Sequence, residues 1–450
     1  MPTTPSTPPT DRRLIAVLAA AALGWMFDGL EMGMFPLIAR PALQHMQATQ
    51  GVAVTDSFVG LWMGYVTAAF LLGAAGGGVL FGWLGDKIGR VRAMALSILC
   101  YSLFTGLVYF ATEPWHLLVT RFVAAFGMGG EWSLGVALVM EVWPEKHRPI
   151  LAGVIGAAAN VGYVLIAVIG VGFTITTESW RWVALVGAAP AILTFAILAF
   201  VPESERWKEA QKDSPGQPLR EVLRPPLLKA TLLATLFASV ALIGTWGSVQ
   251  WLPLWADQMA QEQSVTKARA ELAAPGATVP ASEAAVLTRA KELKDNRAKA
   301  YTQGASAVGA IVGCLLGAWM GGRLGRRPAY FLLCLASLLS CAWLFRSFHT
   351  YDLGFLALTF VIGGFTAAFY GWLPLYLPEL FPTRVRATGQ GLSFNSGRIL
   401  AAVGALQMGS LMQHFNGSYA KAGAVITLIY IVGMVVIWLA PETKGRPLPE

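Results

Sequence analysis

Charge is what this sequence has least of. Only 13% of its 450 residues are Asp, Glu, Lys or Arg, against about a quarter in soluble globular chains. That shortfall excludes an ordinary water-soluble domain, and length divided by ~150 residues gives no domain count here. Cysteine is scarce too. Cys100, Cys314, Cys334 and Cys341 all fall in apolar stretches, which excludes a disulfide framework and reads as buried small hydrophobes. The five histidines are scattered without metal spacing. Gly76-Gly77-Gly78 is not followed by Gly-Lys-Ser/Thr, so no phosphate loop is present. Glycine at that depth instead permits close helix packing. No nucleophile triad, metal cluster or cofactor fingerprint appears, so the sequence reads as neither an enzyme nor a metalloprotein.

What the chain has in abundance is apolar length. Hydrophobic residues make up 55% of it, in runs of ~20 that each suffice to cross a hydrocarbon core of ~30 Å. Twelve spans are expected: 14–38, 58–81, 91–111, 115–140, 150–174, 181–201, 229–254, 301–321, 329–347, 353–377, 389–412 and 421–440. An even number puts both termini on one side. With that side in the cytoplasm, and span ends counted with their adjoining segments, Lys and Arg number 20 inside and 11 outside. Seven of the outer ones lie in the long loop 255–300, and long loops translocate with little regard to charge. The net charge of +8 is therefore a topogenic signal and implies no nucleic-acid partner.

Residues 1–13, rich in Pro and Thr, read as a disordered cytoplasmic tail. A cleaved signal peptide is not expected, since the following apolar run exceeds an h-region. Residues 202–228 read as a charged cytoplasmic linker that divides the spans six and six, and 441–450 as a cytoplasmic tail. In loop 255–300, Pro275-Gly276 and Pro280 separate two helices. Ser282 is the expected N-cap of the second, which is expected to run into the span at 301. The segments Gly82–Arg92 and Ala318–Arg327 repeat each other after the second span of each half. Two six-span halves related as parallel repeats place a substrate site at their interface near the midplane.

Charges inside the spans are expensive and usually face a pathway or partner. Asp28 lies ~21 Å along the first helix and Arg121 ~9 Å down the fourth from the other side, which puts them at one depth. An Asp28–Arg121 pair is therefore expected, with a proton competing with Arg121 for Asp28; a purely structural clip is the alternative. Glu31 lies one turn further out, and Glu131 sits ~24 Å down the fourth helix. Either is a candidate second proton site. Arg398 lies ~14 Å up the eleventh helix, near the midplane, where its planar fork suits a carboxylate. Asn395 is one turn away. Asn160, Tyr163, Gln250, Trp251, Tyr370 and Trp372 are further candidates to line a cavity. On the inner face, Asp86, Arg90, Glu141, Arg148, Glu203, Arg206, Glu379 and Arg384 are candidates for gate ion pairs.

Gly82–Arg92 matches the loop signature Gly-x-Leu-x-Asp-x-x-Gly-Arg, and here the chain resembles the major facilitator superfamily. The second copy has Gly322 in place of the Asp. Arg121 with Gly127, Gly129 and Gly130 resembles that superfamily's fourth-helix motif, while Pro202–Trp207 and Pro441–Gly445 resemble sugar-porter signatures. Phe27–Glu31, Gly127–Trp132 and Glu379–Gly389 are similar to sequences of sialate and aromatic-acid proton symporters. The resemblance implies an all-α membrane protein: twelve transmembrane helices in two six-helix bundles, 14–201 and 229–440. It further implies proton-coupled symport of a small carboxylate by alternating access, driven by the proton gradient without a cofactor. A monomer in the bacterial inner membrane is expected. A sugar or polyol transporter is the alternative, and a non-transporting membrane sensor a remote one.

Overall fold

The computed structural model describes residues 11–49, 56–173, 176–213, 218–273, 282–295, 297–416 and 418–450. All regular structure among them is helical. Eleven helical segments are long and apolar enough to cross a bilayer among the described residues. The position expected at 389–412 is filled by the 29-residue helix Arg386–His414. Large side chains such as Ile192, Phe195 and Phe200 stay 72–75% exposed, as residues facing lipid tails do.

Several helices outrun the expected spans. The first is Asp11–Thr49 and the second Asp56–Ile88. Hydropathy marks only the stretch that matches hydrocarbon, whereas the backbone ladder continues into water wherever nothing interrupts it. Asp11–Arg13, expected in the disordered tail, already belong to the first helix. Residues 1–10 lie outside the described ones.

The seventh span shows the same effect most strongly. Leu228–Gly247 passes through a short turn at Val249–Trp251 and resumes as Leu252–Ala273. Residues 255–273 of the expected loop 255–300 are thus a continuation of a helix. Ser282 caps Glu283–Leu293 as expected, its hydroxyl accepting from the Ala285 N–H at 3.2 Å. That helix does not run into the next span: the chain breaks at Lys294–Arg297 before Ala298–Leu324 begins. Pro275, Gly276 and Pro280 lie outside the described residues.

The packing repeats between the sequence halves. The first span packs on the fifth as the seventh packs on the eleventh, and the second on the fourth as the eighth on the tenth. Across the halves the second meets the eleventh and the fifth meets the eighth. The fourth span is broken into Pro114–Met128 and Glu131–Val142 by Gly129-Gly130. This break sets Glu131 in the first turn of a new helix, deep in the molecule, where the helix dipole favours a carboxylate. The linker, the start of the first helix and the final segment share one face: Trp143 donates to the Leu14 carbonyl, and Tyr376 to that of Pro441.

Candidate functional site

Five charged side chains are buried between the halves at mid-helix: Asp28, Glu31, Arg121, Glu131 and Arg398, each 7% exposed or less. The expected Asp28–Arg121 pair does not form. Arg121 is paired with Glu31 instead, and Glu31 also accepts from the Thr105 hydroxyl at 3.3 Å. The depth estimate was accurate to one helical turn, and one turn is the distance from Asp28 to Glu31. The Arg121 guanidinium lies over the Phe35 and Phe70 rings at 4.8 and 4.9 Å, which helps to hold a buried cation.

Asp28 faces Glu131 and Arg398. Among the described residues neither oxygen of Asp28 has a hydrogen-bond partner, and neither oxygen of Glu131 has one. Arg398 makes one hydrogen bond among the described residues, to the Asn395 side-chain oxygen Oδ1 at 3.0 Å, out of the five N–H groups of a guanidinium. Its ring neighbour is Phe394, 5.1 Å away, which stacks in turn on Trp132 of the fourth span at 4.2 Å. Tyr163 and Tyr370 stand within electrostatic range of Arg398. Asn160 reaches toward the Cys314 sulfur at 4.0 Å.

Some expected substrate contacts are otherwise engaged. Asn395 spends its amide on the Gly129 and Gly391 carbonyls, at 3.2 and 2.9 Å. It joins the halves and orients Arg398 rather than presenting free donors. Gly129 O is the carbonyl that the break in the fourth span releases, and Asn395 satisfies it. Trp372 is fully buried among Phe237, Tyr330 and Tyr376, and donates to the Arg326 carbonyl. It belongs to an aromatic core near the linker face and lines no cavity. Gln250 is exposed at the turn in the seventh span, and Trp251 stacks on Tyr419.

The linker face carries two knots of charge. In the first, Arg90 binds Asp86 at 2.6 Å, Glu141 at 3.0 Å, and the carbonyls of Gly85 and Thr383. Asp86 also accepts from the Thr388 N–H at 2.8 Å and from that of Ala387 at 3.3 Å, across the halves. Glu141 holds Arg386 at 2.9 Å. In the second knot, Arg326 grips Glu379 through two bonds of 2.6 and 2.9 Å. Glu203 and Glu442 occupy matching places: Glu203 accepts from the N–H groups of Arg90 and Val91, Glu442 from those of Arg326 and Arg327. Each caps a helix entered through a glycine in the left-handed region, Gly89 at φ 106° and Gly325 at φ 103°. Burial pushes the Glu203 carboxyl up, against its backbone donors. For Glu442 burial also pushes up, but the backbone donors outweigh it and hold the group below its ordinary range.

The gate candidates come together only in part. Arg384 pairs with Glu221 of the linker, Arg148 with Glu145, and Arg206 is exposed. Arg326, Arg386, Glu221 and Glu442 were not singled out from the sequence. Two signals point to two of them: Pro-Glu recurs at 202–203 and 441–442, and Glu141…Arg148 and Glu379…Arg386 share one spacing.

The sequence profile of the Major Facilitator Superfamily matches residues 17–281, and that described as "Sugar (and other) transporter" matches 284–450. A Haemophilus influenzae protein named for metabolite transport is 29% identical, covering 96% of this chain and 97% of its own. The sialic acid transporter NanX of Escherichia coli is 26% identical, covering 95% and 94%. Other relatives are named as transporters of niacin and of cis,cis-muconate. Among solved structures, the proton:xylose symporter XylE superposes with a TM-score of 0.72 at 16% identity, over 97% of this chain and 98% of that one. With more than half of its length matched by that profile, this chain belongs to the major facilitator superfamily.

Proposed function

We propose that the protein imports a small organic anion together with protons, by alternating access around the buried charges. The observation that carries this reading is Arg398: a guanidinium buried between the halves, with one hydrogen bond made and an unpartnered carboxylate, Asp28, beside it. A substrate carboxylate takes the open side of the fork bidentately. Asp28 then loses its counter-charge and takes up a proton, because an isolated buried carboxylate is far costlier than a neutral acid. Anion and proton thus enter together. The carboxylate substrates in the names of several relatives support the same class.

The basic excess on the linker face supports a cytoplasmic orientation of that face, in a bacterial inner membrane. The Asp86 and Arg386 contacts then form the closed inner gate, and opening inward parts 14–201 from 229–440. The XylE likeness and the match to the sugar transporter profile favour a sugar or polyol as the second reading.

The test is uptake into proteoliposomes under an imposed pH gradient, with nicotinate, cis,cis-muconate, sialic acid and xylose as probes. Accumulation of an acid that disappears in Asp28→Asn, while exchange persists, is the expected result. Undiminished uphill transport in that variant removes Asp28 from the coupling role. Accumulation of xylose alone moves the protein to the second reading.

A further inference from the structure

Three carboxylates, Asp28, Glu31 and Glu131, are buried here with two guanidiniums, Arg121 and Arg398. Glu31 and Arg121 neutralise each other. That leaves Asp28 and Glu131 to one cation. With both ionised, the site would hold a net negative charge and four buried oxygens without a donor, an arrangement disfavoured by several kcal/mol.

The two carboxyls are brought together by the backbone. Gly24 lies one turn before Asp28 on the first helix. A Cβ there would stand 2.7 Å from Cδ of Glu131 and 3.3 Å from its Cγ, so a larger residue there has to displace that carboxyl. Glu131 heads the electrostatic neighbours of Asp28, followed by Arg398 and Glu31. The Tyr101 hydroxyl, fully buried beside Ser102, faces Asp28, Glu131 and Glu31. Tyr163 faces the cations and Glu31 from the fifth span.

We propose that Asp28 and Glu131 form a carboxyl pair holding one resident proton in the ligand-free protein, with Gly24 as the notch that seats Glu131. The shared proton neutralises the excess charge and supplies the missing O–H donor. The pair rests on the buried geometry alone. Its consequence for transport rests on the organic-anion reading above: with the cavity already neutral, each carboxylate on a substrate brings one proton of its own.

Infrared spectroscopy of the purified, ligand-free protein reads the resident proton without any transport. The expected result is one protonated-carboxyl band in the wild type, lost in Glu131→Gln, which leaves Asp28 to pair with Arg398, and shifted in Asp28→Asn, which takes away the oxygen that shares the Glu131 proton. Gly24→Ala, which expels the Glu131 carboxyl, shifts or removes the same band. Thermal unfolding checks that each variant is folded, and the two isosteric variants test the pair independently. A band that stays unshifted in Asp28→Asn means that Glu131 holds the proton alone, and it overturns the sharing. No band in the wild type overturns the pair. Proton counting with a pH indicator then compares nicotinate with muconate, and twice as many protons are expected with the dicarboxylate. Equal counts overturn the charge rule. If neither acid is transported, the organic-anion reading fails while the infrared result still decides the pair.

Discussion

The two knots on the linker face share one pattern and differ most at one position. Arg90 and Arg326 each hold the carbonyl five residues back and a glutamate of the fourth or tenth span, Glu141 or Glu379. Glu203 and Glu442 cap both helices. Asp86, however, has no counterpart. It grips the start of the helix Arg386–His414 through two N–H groups, whereas Gly322 in its place lies against Pro149 at the start of Arg148–Gly172. Pro149 occupies the position of Ala387, and proline has no N–H to give. Acceptor and donor have disappeared together. One seam between the halves is therefore held by charge and the other by contact, so the ionic seam carries most of the resistance to parting.

The sharpest way to break that asymmetry is Asp86→Ala. It leaves two buried N–H groups unsatisfied and removes one of the two carboxylates of Arg90, at about 3–5 kcal/mol. A large fall in melting temperature in detergent is expected, with increased labelling of cysteines placed on the linker face. An unchanged melting temperature would show that the seam bears no load.

The converse experiment rebuilds the missing latch. Gly322→Asp alone buries a carboxylate against a proline and is expected to destabilise. Paired with Pro149→Ala it meets a restored N–H, and a coupling of about 1–3 kcal/mol is expected from the double-mutant cycle. Additivity within error would mean that the second seam cannot accept the first one's chemistry.

The smallest effect separates the two caps by pH. Glu442 is held below its ordinary range, so its stabilisation is present above that range and fades as pH falls through the depressed value. Glu203 is raised, so its contribution is present at low pH and fades as pH rises through the elevated value. Melting curves against pH for Glu442→Gln and Glu203→Gln should each lose one of these opposite slopes. Slopes of the same sign would remove the distinction.

The spans were legible because hydrocarbon selects composition directly, and the buried charges were conspicuous against it. Their pairing was not legible. Helix-rise arithmetic cannot resolve one turn between tilted helices, and one turn decides whether Arg121 meets Asp28 or Glu31. Arg384 and Arg386 were equally plausible from the sequence, yet only Arg386 points inward to Glu141. Trp372 looked like a cavity residue because nothing in a sequence tells an aromatic core from an aromatic lining. Helix length beyond the membrane was hidden for the opposite reason: Leu252–Ala273 turns polar where it leaves the bilayer, and polarity reads as loop.

That extension makes the face opposite the linker unusual. Leu252–Ala273 rises ~33 Å and is joined to Glu283–Leu293 through Ala268, Val286 and Ala290. Asp257 clamps it to Lys294 and Lys299 at 2.9 and 3.3 Å. The hairpin is thus a rigid handle spliced between the seventh and eighth spans. An antibody fragment raised against it would gain a fixed lever on a protein otherwise hidden in detergent, giving single-particle images a landmark for alignment.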